Sequence, residues 1–87
     1  MPKDSLNEAL TELRSRLDQE ERVQPEDREA LNELAARVEL MINESKEHWD
    51  EGVLDELEKQ VIGYEEAHPV IARVISQIIN TLNGMGL

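Results

Sequence analysis

Cysteine is absent, and with it any disulfide framework, thiolate nucleophile or Cys-ligated zinc. Phenylalanine is absent too; Trp49 and Tyr64 are the only Trp and Tyr. Bases are scarce, with nine Lys and Arg against 20 Asp and Glu, a formal net charge of -11. A phosphate-binding surface must supply a surplus of Lys and Arg, so nucleic acid is not an expected partner. An anionic membrane surface is disfavoured on the same ground. Four glycines, two of them at positions 84 and 86, form no phosphate-cradling loop. The opening Met1-Pro2-Lys3-Asp4 has no charged-then-apolar signal pattern, and a cytoplasmic protein is the expectation.

High charge with few aromatics is also the composition of a disordered chain. Against that, 39% of the residues are apolar, and they are periodic. Leu6, Leu10, Leu13 and Leu17 mark one face of a first helix, with Ser5 and Glu8 placed as a capping box. The stripe fades at Glu20, and Gln24-Pro25 forces extended backbone. Pro25 suits the first position of a second helix, whose stripe is Leu31, Leu34, Val38 and Met41. The short connection makes the two helices an antiparallel hairpin. Asn43 to Asp50 reads as a polar loop, and Asp50 as an N-cap. Trp49 and Leu54 then occupy the two positions of a hydrophobic staple, with a binding-site Trp as the sharper alternative.

From Leu54 the stripe runs Leu57, Val61, Tyr64, His68, Ile71, Ile75, Ile78 and Leu82, with strict three-four spacing. Its phase is the same on both sides of Pro69. The expected architecture is therefore all-α and a single domain, with helices over about 5–22, 25–43 and 51–83. The third is a long helix kinked at Pro69. The alternative breaks the chain there, with His68 as N-cap, and closes a monomeric four-helix bundle. Asn83-Gly84 ends the helix in either case, Gly84 supplying a left-handed C-cap.

The charge is divided along the chain. Residues 1–68 hold all 20 acids, whereas residues 69–87 hold Arg73 and no acid. In that last segment Val70, Ile71, Val74, Ile75, Ile78, Ile79 and Leu82 leave only a narrow polar strip. Such a helix must be covered on more than one side. A continuous helix of about 33 residues spans roughly 50 Å, twice the length of either hairpin arm. Its second half would need another chain, and a second copy in an isologous dimer is the expected cover.

Catalytic machinery is sparse. No serine has a glycine-flanked elbow, and most carboxylates lie on solvated helix faces. Glu65 and His68 form Glu-x-x-His, the ligand pair of di-iron carboxylate bundles. His68 lies on the stripe with Glu65 to its side. Among the Glu residues of the other helices, only Glu20 holds a stripe position.

Three segments carry a family resemblance beyond the leucine spacing of the first helix. They are Gln24-Pro25-Glu26-Asp27-Arg28-Glu29-Ala30-Leu31, Tyr64-Glu65-Glu66-Ala67-His68-Pro69 and Leu82-Asn83-Gly84-Met85-Gly86-Leu87. The chain resembles a family of short bacterial proteins defined only as a domain of unknown function. That resemblance implies a small all-helical cytoplasmic protein and transfers no functional residue. Tyr64 stands where the family has Phe.

The function expected from the sequence is non-enzymatic: a small acidic helical protein that self-associates through residues 70–82 and binds another protein, with no cofactor. Two alternatives stand beside it. One is a metal-binding dimer centred on Glu65 and His68. The other is a peripheral membrane protein using the C-terminal helix.

Overall fold

Pro25 and Pro69 each open a helix, where a missing N–H costs nothing and a fixed φ is already helical. The computed structural model describes residues 2–87. It contains α1 (Pro2–Gln19), α2 (Pro25–Ile42), α3 (Gly52–Tyr64) and α4 (Pro69–Gly84), with one turn of 3-10 helix at Lys46–His48. Short connections make sequential helices antiparallel. Arg37 pairs with Glu56 at the register of an antiparallel α2–α3 pair, and Arg14 pairs with Glu39 between α1 and α2. The result is an all-α four-helix bundle measuring 37 × 23 × 18 Å.

The expected long helix is two helices. The amide of His68 still donates to the Tyr64 carbonyl at 2.8 Å, so helical turning persists that far. His68 then adopts φ -137°, ψ 67°, since a residue before proline is pushed out of the helical region. Pro69 has no N–H to continue the ladder. Energetics favour folding back at this point. Ile71, Val74, Ile75, Ile78 and Leu82 are all buried within the single chain. Each contributes about 1.5–3 kcal/mol relative to exposure, together far more than the roughly 3 kcal/mol scale of a helix break at proline. The preserved phase reflects two stripes facing one core from opposite directions.

That packing explains the breadth of the apolar surface on α4. The helix packs extensively against both α1 and α3, whereas α2 makes the lesser contacts with its neighbours. The core continues through Leu6, Leu10, Leu13 and Leu17 of α1 and Leu31, Leu34 and Val38 of α2. No buried polar or charged residue interrupts it among the described residues.

Three local expectations shift. The first helix starts at Pro2, so Ser5 lies inside it and no Ser5–Glu8 capping box forms. It also ends at Gln19, and Val23 in the following turn is buried as a plug beneath the corner. At the other terminus the helix continues through Gly84, and Gly86, with φ +100°, is the left-handed residue. The Gly86 amide donates to the Asn83 carbonyl and the Leu87 amide to the Leu82 carbonyl, both at 3.1 Å. This is the Schellman pair of bonds, and Leu87 packs against the core as its hydrophobic partner.

The N-cap of α3 is Glu51 and not the expected Asp50, while Trp49 and Leu54 are each half-buried against the core. The Trp49 indole N–H donates to the Glu44 carbonyl at 3.2 Å, and Asp50 Oδ1 accepts the Gly52 amide at 2.9 Å.

Candidate functional site

The seven residues expected to form a self-association seam divide six to one. Ile71, Val74, Ile75, Ile78, Ile79 and Leu82 are core residues covered by α1 and α3 of the same chain. Val70 alone remains open, at 39% exposure. A four-helix bundle supplies from within the cover that a continuous helix would have needed from a partner. The stripe is therefore not an open surface.

The polar residues gather at one end. The end of α1, the start of α2, the end of α3 and the start of α4 meet there because adjacent helices alternate in direction. His68 Nδ1 lies 3.7 Å from Glu20 Oε2, an ion pair only when the imidazole is protonated. Arg28 Nη2 donates to the Glu20 backbone carbonyl at 2.7 Å, closing the open end of α1. The Tyr64 ring sits 5.7 Å from the His68 ring at a 52° tilt. Tyr64 is 5% exposed, and its hydroxyl has no hydrogen-bond partner. Burial pushes the Tyr64 phenol above its ordinary pKa; the Asp27 carboxylate adds to the rise and Arg28 opposes it. Beside this cluster Arg16, Gln19, Glu20, His68 and Val70 line a cavity of about 290 Å³.

Glu65 takes no part in that cluster. It is exposed and caps α3 through its amide, which donates to the Val61 carbonyl at 2.9 Å. His68 faces Glu20 instead, the stripe carboxylate just past the end of α1. Among the described residues no group of three His, Asp or Glu side chains gathers as a ligand set for a metal. No described helix is long and apolar enough to cross a membrane.

A second feature runs along the outside of α3 and α4. Arg73, Gln77 and Asn80 form the outward strip of α4, and no carboxylate lies on that helix. On its α3 side Glu58, Val61, Ile62, Ser76, Ile79 and Asn80 line a groove of about 330 Å³. Ile62 stands 73% exposed there.

The model of the family described as Domain of unknown function (DUF4404) matches residues 6–87. The chain belongs to that family. No curated protein and no solved structure matches it. Two segments that carry the family resemblance, Gln24–Leu31 and Tyr64–Pro69, meet at the polar end of the bundle. The third, Leu82–Leu87, forms the helix-ending turn at the opposite end. The family description assigns no activity to any of these positions.

Reading the sequence by stripes missed two residues of these features. Arg28 was hidden in an acidic first turn, where it is the lone base between Asp27 and Glu29. Its signal is its distance from Pro25: a long side chain in the first turn reaches back over the corner. Ile62 is the one aliphatic of α3 displaced toward solvent, next to the stripe residue Val61.

Proposed function

We propose that this protein is a non-enzymatic helical binding module that presents its α3–α4 face to another polypeptide. The observation that carries the reading is a coincidence on that face. The most exposed of its large apolar side chains, Ile62, borders the outward strip of α4, and α4 is the helix that bears no carboxylate. Exposed aliphatic side chains standing singly are ordinary; one lining a groove with Val61 and Ile79, beside a strip without carboxylates, is the pattern of a contact face. The acidic residues of α1 and α2 serve on this reading as a solvated coat that keeps the molecule dispersed. The protein is taken as bacterial and cytoplasmic, as the family resemblance implies.

Retention experiments in lysate of the native host test the reading, using immobilised wild-type protein with Ile62→Asp and Leu40→Asp side by side. Leu40 is exposed to a similar degree, 69%, but lies on α2. A polypeptide held by wild type and Leu40→Asp and lost by Ile62→Asp is the expected result. Equal retention by all three proteins, or none, overturns it.

A further inference from the structure

We propose that the groove between α3 and α4 seats a basic amphipathic helix of another protein, its apolar edge over Ile62 and its Lys and Arg side chains along the outward carboxylates of α3. This rests on the binding role of that face and adds the chemistry of the partner.

Ile62 stands within a row of carboxylates. Asp55 and Glu58 lie seven and four residues before it, Glu65 and Glu66 three and four after it, spacings that share one side of a helix. The Glu65 amide donates to the Val61 carbonyl and the His68 amide to the Tyr64 carbonyl, so helical turning carries the row past the end of α3. All four carboxylates are exposed, and among the described residues none of them forms an ion pair. Glu56, on another side of α3, is the one taken by Arg37. Lys59 is the lone base of α3. Glu58 itself lines the groove together with Val61, Ile62 and Ile79.

Shape makes the seat, and charge names what sits in it. Unpaired carboxylates ranged along one rim of an apolar groove are complementary to a cationic ligand. Across the groove α4 carries no carboxylate; its outward strip is Gln77 and Asn80, with Arg73 as the only charge. The partner's bases therefore lie over α3, and its apolar edge turns toward Val61 and Ile79. Basic on one edge and apolar on the other is the pattern of an amphipathic helix docked in a groove. Solvated rim pairs steer and orient more than they hold, so the grip comes from the apolar edge. A second copy of this acidic chain meets the same carboxylates with its own and is repelled.

The probe is a synthetic helical peptide about as long as α4, roughly 24 Å, with Leu along one side and Lys along the other. Fluorescence anisotropy follows its binding to the full chain. One counterpart carries Glu in place of Lys; another has the same residues in an order without helical period. Saturable binding of the Leu/Lys helix is expected, weakening about tenfold or more between about 0.05 M and about 0.5 M NaCl. Both counterparts bind at least about tenfold more weakly. Ile62→Asp adds negative charge, so attraction by charge alone would tighten the complex; loss of the apolar anchor instead weakens it about tenfold. Glu58→Gln combined with Glu65→Gln weakens binding and flattens its salt dependence, and Leu40→Asp is no weaker than wild type. Ile62, Glu58 and Glu65 are exposed, so melting temperatures stay near wild type. Absence of binding overturns the proposal, as does equal binding of either counterpart, undiminished binding by Ile62→Asp or an unchanged salt dependence in the double variant. Sedimentation at twice the 10.0 kDa mass, abolished by Ile62→Asp, gives the groove to a second copy and overturns it too. A host polypeptide retained through Ile62 while the Leu/Lys helix fails to bind overturns the basic partner and leaves the binding face standing. Failure of both experiments ends both readings.

Discussion

The hydroxyl of Tyr64 and the Nε of Arg28 are buried at the same end of the bundle, and neither has a hydrogen-bond partner. Removing the hydroxyl removes its uncompensated desolvation, which costs about 1–3 kcal/mol for a buried unpaired group. Tyr64→Phe is expected to stabilise the protein by about 1 kcal/mol, raising the melting temperature by roughly 4–8 °C. Differential scanning calorimetry at pH 7 measures this. A fall in melting temperature would mean that the hydroxyl has a partner.

The same phenol gives a pH dependence with a definite sign. Its folded-state pKa is raised above the ordinary value of 10.0, chiefly by burial. The folded protein therefore holds the proton more tightly than the unfolded chain. That stability is fully present below the unfolded value and is lost as pH rises through the folded one. Urea midpoints from pH 8 to 11.5 should decline more steeply for wild type than for Tyr64→Phe.

Two residues of α4, the helix without a carboxylate, separate core from surface. Ile75 is fully buried, and Ile75→Ala should cost about 2–5 kcal/mol through lost burial and the cavity left behind. Val70→Ala should stay within about 0.5–1 kcal/mol. Urea denaturation of both variants decides the matter. Similar small losses would mean that residues 71–82 do not form the core of the single chain.

The glycines near the end of α4 make opposite predictions. Gly84 is helical with open space around its missing Cβ, so Gly84→Ala should stabilise by about 0.5–1 kcal/mol. Gly86 sits at φ +100°, and an added Cβ would meet Lys46 Nζ at 3.2 Å, so Gly86→Ala should cost about 1 kcal/mol or more. Thermal melts of the two variants should move in opposite directions.

Pro69→Ala tests what turns the chain. Alanine would permit a continuous helix, but the burial of Ile71, Val74, Ile75, Ile78 and Leu82 outweighs one recovered helical turn. Small-angle scattering from the dilute variant should retain a compact monomer, near the 12.3 Å Cα radius of gyration of the native fold. An elongated dimer would reverse the conclusion.

Helix type, helix number in the first half and nearly the whole core were legible in three-four spacing, because that spacing is burial written along one dimension. The break at Pro69, with His68 as N-cap, stood only as the alternative, for a definite reason. A stripe that keeps its phase specifies which side of a helix is apolar, not whether the helix reverses. The apolar breadth around Val74 and Ile79 did say that cover was needed on two sides; it could not say that α1 and α3 would supply it. At the polar end the sequence marked Glu20 and His68 as stripe residues that are not aliphatic, and the fold brings them together. Arg28 and Ile62 escaped because one acts across a corner and the other acts by staying outside.

The pairing of α4 with α1 has a consequence for synthesis. During translation the leucines of α1 leave the ribosome about fifty residues before the helix that covers them, and α2, their first available neighbour, makes the lesser contacts. The nascent chain therefore carries an uncovered leucine face on an otherwise highly charged surface until its last helix is complete. The abundance of carboxylates in residues 1–68 then acts before there is a fold to decorate, keeping unfinished chains apart by mutual repulsion.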